Sequence, residues 1–131
     1  MHDELKTVAL GTKYAVDAFV FVQRGLDFTV RRTHGERPRT APRGETPSRH
    51  VSGQQLCLGL RDFAVEQYGL LARTVLRSWG VTRCDDFGRI VFAMVEAGLM
   101  QKTQDDDLTD FEGVYDFAEA FAPKLQLSEI V

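Results

Sequence analysis

The chain has 131 residues, with 44% hydrophobic and 27% charged side chains, a formal net charge of −3 and two cysteines. A chain of this length is expected to form a single domain. Its composition lies near the average for globular proteins, which excludes wholesale disorder and a fibrous structure. No apolar run approaches the roughly 18 residues of a membrane span, and Asp3 and Glu4 stand where a secretory signal is basic. We therefore expect one cytoplasmic domain over residues 1–131 and no membrane partner.

The first predicted element is a central helix in the run KYAVDAFVFVQRGLDFTV. Apolar residues such as Tyr14 and Phe21 recur in it at steps of three or four, which is the period of an α-helix. Gly25 interrupts the pattern and leaves open that the run from Leu26 to Val30 continues as extended chain. Over residues 31–49 the periodicity disappears among three prolines and two glycines, which predicts an arginine-rich loop.

After this loop, the sequence predicts three further helices. Ser52 and Gln55 have the spacing of a capping box, so a helix begins there. It ends near Gly69, because glycine accepts the left-handed conformation that follows a helix. Apolar residues at helical spacing mark a third helix over residues 71–79 and a fourth over residues 87–95.

Shorter signals follow the same logic. Thr82 with Asp85 has the capping spacing before the fourth helix, and Asp116 with a glutamate three residues on has it before a brief helix over residues 117–122. The alternation after the fourth helix is typical of a short strand, so we expect a β-hairpin near residues 99–111.

We therefore expect a mainly α fold, a compact bundle of about four to five helices with a loose C-terminal tail at residues 124–131. The order of helix three, helix four and the hairpin also fits a winged helix-turn-helix. Acidic groups outnumber basic ones in the fourth helix and the hairpin, and phosphates would repel them. Sequence-specific DNA binding is not expected.

Four stretches together carry a family resemblance: HVSGQQLCLGLRDFAVEQYG, VLRSWGVTRCDDFGRIVFAMVEAGLMQK, DDLTDFEGVYDFAEAF and KYAVDAFVFVQRGLDF. The chain resembles a family of small conserved hypothetical proteins of unknown function from planctomycetes and verrucomicrobia, and the match covers roughly residues 13 to 121. The resemblance implies a compact fold over most of the chain. The family has no assigned reaction, so no catalytic residue is carried over.

Charge is distributed unevenly along the chain. Residues 31–50 carry six arginines against two glutamates, a balance of +4, whereas residues 103–131 carry one lysine against eight acids, a balance of −7. Guanidinium groups bind phosphates and carboxylates in bidentate geometry. The six arginines are the candidate partner-binding residues: Arg31, Arg32, Arg37, Arg39, Arg43 and Arg49.

The partner of this arginine-rich loop has several alternatives. RNA, a ribonucleoprotein or an acidic protein surface would suit its charge, and so would the acidic C-terminal region of this chain or of a second copy in a homo-oligomer. A plain solvated loop has the same composition. No aromatic residue is interleaved with the arginines to stack on a base.

Enzymatic and metal chemistry is weakly supported. His50 and Ser52 suggest a hydrolase, but no nucleophile elbow surrounds Ser52, which fits a helix cap better. The aspartates from Asp105 to Asp116 match a calcium-loop spacing only in part, because Asp110 stands where the turn needs glycine.

The two cysteines, Cys57 and Cys84, could join His50 in a metal site, but no C-x-x-C pair is present. We expect both to be buried thiols. The sequence thus favours a non-enzymatic binding or adaptor protein with no catalytic residue, metal or cofactor. The alternative is a small enzyme or weak metal-binding protein using His50, Ser52 or the aspartates from Asp105 to Asp116.

Overall fold

The computed structural model describes residues 3–35, 51–100 and 108–122, and these ranges are helical. They contain six α-helices and two single 3-10 turns, and no strand. The helices are α1 (Asp3–Leu10), α2 (Val16–His34), α3 (Gly53–Tyr68), α4 (Ala72–Ser78), α5 (Cys84–Glu96) and α6 (Phe117–Ala120), with the turns at Gly69–Leu71 and Leu108–Phe111. The prediction of a mainly helical bundle is confirmed.

The core lies between α2, α3, α4 and α5, each of which contributes apolar side chains at helical spacing. The largest of these fully buried side chains are Phe19, Phe87, Leu60, Leu76, Ile90 and Met94. Helix α1 covers one end of this core with Leu5 and Ala9, both buried. Helix α1 was not predicted from the sequence, because two buried apolar side chains on eight residues are too few to show a helical period.

Helices α2 and α3 approach each other closely through two glycines. A Cβ at Gly59 would lie 1.9 Å from the Thr29 Oγ1, and one at Gly25 would lie 2.2 Å from a Leu60 methyl carbon. The buried Thr29 hydroxyl donates a hydrogen bond to the Gly25 carbonyl at 2.7 Å. Gly25 is therefore a contact point inside a continuous helix, and the extended segment considered for the residues after it is not found.

Helix α2 continues to His34, so Arg31 and Arg32 are helical and the predicted loop cannot begin at residue 31. Basic side chains in the last turn of a helix are stabilised by the negative end of its dipole. The helix ends at Gly35, whose φ of 76° suits glycine. The remainder of the predicted loop, from residue 36, lies outside the described residues.

Two capping predictions have different outcomes. Ser52 caps α3 in a full capping box with Gln55, as predicted, with distances of 3.1 and 2.8 Å. Before α5, however, Asp86 and not Asp85 accepts the backbone N–H groups of Thr82 and Arg83, at 2.9 and 3.1 Å. The helix begins at Cys84, so Asp86 stands at its third position, from which a carboxylate reaches back to the cap.

Further along, Asp116 accepts a hydrogen bond from the Ala118 N–H and caps α6, which is shorter than predicted. In the predicted hairpin, Leu108–Phe111 forms a 3-10 turn where a strand was expected. Residues 101–107 and the predicted tail lie outside the described residues. Across the described ranges, no helix combines the length and apolar character needed to cross a membrane.

Candidate functional site

The C-terminal end of α2 carries the two predicted partner-binding arginines that the structure describes. Arg31 pairs with Asp27 at 3.3 Å, one turn earlier on the same helix. Arg32 crosses to α3, where its Nη1 lies 2.6 Å from the Asp62 Oδ2. Arg37, Arg39, Arg43 and Arg49 lie outside the described residues.

The Arg32 guanidinium also lies over the ring of Phe28, 5.1 Å from its centroid. Phe28 in turn packs against Phe63 of α3, with ring centroids 5.3 Å apart. Asp62 is held ionised beside them: partial burial opposes its charge, but hydrogen bonds from Arg32 and Arg61 keep the pKa of Asp62 below its usual value. The Asp62 carboxylate thus holds the Arg32 guanidinium over an aromatic ring.

These side chains border an open groove of about 690 Å³ between α2 and α3. Its lining combines three arginines and one aspartate with two aromatic rings. The lining residues are Arg24, Asp27, Phe28, Arg31, Arg32, Gly35, Phe63 and Gln67.

A second hollow of about 300 Å³ shares Arg24, Phe63 and Gln67 with this groove and extends along the helices to Tyr68 and Trp79. Together the two hollows form what we call the α2–α3 groove. It has an aromatic wall along its length and guanidinium groups at its rim. Such a lining suits a ligand that carries both negative charge and flat apolar surfaces.

The aromatic part of this site was not predicted from the sequence. Phe63 is distant in the sequence and reaches the arginines only because α3 packs on α2. Phe28 could have been found, because it lies four residues before Arg32 and therefore on the same helical face once α2 is extended past Gly25. Arg24 lies seven residues before Arg31, again on that face.

A separate polar cluster surrounds the carboxylate of Asp86, which is 1% exposed. Besides the hydrogen bonds from the Thr82 and Arg83 N–H groups, the carboxylate accepts one from the Tyr14 hydroxyl and one from Nη1 of Arg89, the latter at 3.2 Å. It also lies 3.5 Å from Nζ of Lys13. Burial opposes the charge, but these hydrogen bonds keep the pKa of Asp86 below its usual value. Burial and the hydrogen bond to Asp86 raise the pKa of Tyr14 to about 12.

Every oxygen of Asp86 is therefore engaged within the protein. The cluster ties the segment before α2 to the start of α5, and its closed hydrogen bonding leaves no lone pair directed at a ligand. We assign it a structural role.

The two cysteines are free and buried, as predicted. The interaction with the Cys84 side chain, together with burial, raises the pKa of Cys57, and the same interaction lowers the pKa of Cys84. Tyr115 contacts both residues: its carbonyl accepts from the Cys84 Sγ at 3.4 Å, and its hydroxyl donates to the Cys57 carbonyl at 2.8 Å.

Two residues of the alternative enzymatic and metal sites that the structure describes, Ser52 and Asp116, are helix caps. The Ser52 hydroxyl accepts the Gln55 N–H as a helix cap, and Asp116 caps α6. His50 and Asp105 lie outside the described residues. Within the part of the chain that the structure describes, no three histidine, cysteine or acidic side chains are placed to hold a metal ion.

The described residues thus define a class: a small helical bundle with an arginine-rimmed, aromatic-walled groove between two helices. No family model matches the chain, and neither a curated protein nor a solved structure matches it.

Proposed function

We propose that this protein is a non-enzymatic binding protein that holds single-stranded RNA in the α2–α3 groove and along the arginine-rich segment that follows α2. The observation that carries the proposal is the Arg32 guanidinium over the Phe28 ring in the groove, 5.1 Å from the ring centroid. Single-stranded RNA is recognised by stacking its bases on aromatic rings and guanidinium planes while cations hold its phosphates.

Local charge supports the proposal. Arg24 and Arg31 line the groove on the same helical face as Asp27, and the Arg31 side chain remains 64% exposed despite its ion pair with Asp27. Exposed ion pairs contribute only about 0–1 kcal/mol, so a phosphate can compete for such a guanidinium. Four more arginines follow in the sequence before residue 50, directly after the helix end that the groove reaches.

The aromatic wall favours single-stranded RNA over other negatively charged partners. An acidic protein surface would use the guanidinium groups but has no need of Phe28 and Phe63. A duplex keeps its bases stacked inside the helix and offers mainly its backbone and shape, so it has no unpaired base to place against the aromatic rings of the groove. The lining therefore favours unpaired bases.

The experiment measures binding by fluorescence anisotropy at low and at moderate salt, with a short labelled oligouridine, its duplex with oligoadenosine, and an oligoglutamate peptide. We expect the single strand to bind tightest, with affinity that falls steeply with salt because each neutralised phosphate adds about −0.7 to the logarithmic slope. Absence of RNA binding at low salt, or equal binding of oligoglutamate, would overturn the proposal; the second result would instead indicate an acidic protein partner.

Variants locate the contact. Phe28→Leu keeps an apolar side chain but removes the stacking ring, and should weaken binding about tenfold. Arg31→Gln should weaken it by a similar factor and flatten the salt dependence. Arg73→Gln is the matched control, because Arg73 is an exposed arginine of α4 outside the groove. Unchanged binding by both groove variants would place the contact elsewhere.

A further inference from the structure

The smaller hollow of the α2–α3 groove carries an acid that phosphate binding does not explain. Asp17, in the first turn of α2, lines this hollow of about 300 Å³ and is exposed. Among the residues that the structure describes, none forms a hydrogen bond or an ion pair with its carboxylate. An unpaired carboxylate repels phosphates, so a site that held only a nucleic-acid backbone would gain nothing from Asp17.

Asp17 and Arg24 stand at opposite ends of this hollow. They are seven residues apart on α2, which places them on one face of the helix and about 10 Å apart along its axis. Arg24 lines both hollows of the groove, whereas Asp17 lines only the smaller one. One nucleotide has a similar length from its phosphate to the outer edge of its base. A strand with a phosphate at Arg24 can therefore place a base towards Asp17.

Aromatic rings line the hollow between these two charges. Tyr68 and Trp79 meet edge to face with their centroids 5.9 Å apart, and the Phe21 and Phe63 centroids are 5.4 Å apart. Tyr68, Trp79 and Phe63 are only half-buried. Such a surface takes the flat face of an unpaired base and leaves the hydrogen-bonding edge of that base to polar side chains.

The carboxylate of Asp17 selects among the bases. A carboxylate only accepts hydrogen bonds, and its two oxygens accept a parallel pair of them. Guanine presents such a pair on its outer edge, the N1–H and the N2 amino group. Adenine and cytosine present one amino group beside an acceptor nitrogen, and uracil presents its N3–H between two carbonyls, so each sets an acceptor against the carboxylate. Gln67 of α3 also lines the hollow, and its amide can donate to the guanine O6.

We propose that the Asp17 end of the α2–α3 groove is a guanine-binding subsite for single-stranded RNA. The Asp17 carboxylate accepts the guanine N1–H and N2 amino group, and the base lies against the rings of Tyr68 and Trp79. Arg24 holds the phosphate. This inference rests on the proposed function and adds a sequence preference to it, because a strand with an unpaired guanine binds more tightly than a strand without one.

The test compares four labelled oligouridines that differ at one central position, which holds uridine, adenosine, guanosine or inosine. Their affinities are measured by fluorescence anisotropy at low salt. We expect guanosine to bind about tenfold more tightly than adenosine, as bidentate base contacts do. Inosine, which lacks the amino group, should lie between them. Equal affinities of all four would overturn the guanine subsite but leave the RNA proposal standing, whereas no binding of any of them would overturn both.

Variants and fluorescence locate the base. Asp17→Asn keeps the size of the side chain but replaces one acceptor by a donor, and should lose the guanosine preference while it still binds oligouridine. Glu66→Gln is the matched control, because Glu66 is an exposed acid of α3 that lines neither hollow, and it should retain the preference. A preference that survives in Asp17→Asn, or is lost in both variants, would contradict the assignment.

Trp79, the single tryptophan of the chain, gives a second readout in the wild-type protein. Because Trp79 lines the hollow, the guanosine oligonucleotide should change its fluorescence more than oligouridine does when both are saturating. Equal changes would place the guanine outside the hollow and overturn the subsite.

Discussion

Replacing Asp86 by alanine should destabilise the fold by about 3 kcal/mol. Asp86 is 1% exposed and accepts the Tyr14 hydroxyl as well as the backbone N–H groups of Thr82 and Arg83. With alanine in its place, the Tyr14 hydroxyl stays buried without an acceptor. The Thr82 and Arg83 N–H groups before α5 lose the carboxylate that accepts their hydrogen bonds. Water can take its place, because both residues are exposed.

The magnitude follows from two contributions. A buried hydroxyl left unpaired costs about 1–3 kcal/mol, and the loss of a helix N-terminal cap costs about 1 kcal/mol. The side chains of Lys13 and Arg89 are 63% and 53% exposed, so their ion pairs with Asp86 add little. A loss of about 3 kcal/mol would lower the Tm by about 10 °C for a domain of this size.

The assay is urea unfolding followed by fluorescence of Trp79, the single tryptophan of the chain, and by far-ultraviolet circular dichroism. Asp85→Ala is the matched control: it removes a neighbouring carboxylate that pairs only with exposed Arg83 at 3.8 Å, and should change stability by no more than about 0.5 kcal/mol. Equal losses in Asp86→Ala and Asp85→Ala would refute the assignment of the cap to Asp86.

Three further predictions concern stability. The pKa of Asp86 is lowered in the folded state, so its contribution to the free energy of unfolding is present above the unfolded pKa of about 3.9 and is lost as pH falls through the folded pKa. When unfolding is measured at decreasing pH, the free energy of unfolding should therefore fall less steeply for Asp86→Asn than for wild type, and parallel curves would contradict this. Gly59→Ala should cost about 2 kcal/mol in urea unfolding, since its Cβ would clash with Thr29; a stability gain would show that helix propensity outweighs the clash. Ser52→Ala should lower the free energy of unfolding by about 1 kcal/mol, because it removes the hydroxyl that accepts a hydrogen bond from the Gln55 N–H. An unchanged free energy in the same measurement would mean that this helix cap does not stabilise the fold.

Much of the fold could be predicted because periodic apolar residues report burial directly. The helical stripes of α3 and α5 and the cap at Ser52 were visible in this way. The continuation of α2 through Gly25 was not, because a glycine inside a helical pattern signals either a break or a close contact, and only the partner helix decides between them. The choice of Asp86 over Asp85 likewise depended on where α5 begins.

The candidate site was predictable only in its charge. Arg31 and Arg32 were identified by composition, but as parts of a loop, and their aromatic neighbours were not expected. Phe63 joins them through the packing of α3 on α2, which no local pattern encodes.

The central claim is that the α2–α3 groove binds unpaired RNA, and the most direct measurement is a titration of isotope-labelled protein with oligouridine followed by amide chemical shifts. The account predicts that the shifts concentrate on residues 24–35 and 63–68 and that Phe28→Leu reduces them. Shifts confined to other surfaces, such as the exposed leucines Leu70 and Leu71, or no shifts at saturating oligouridine, would contradict it.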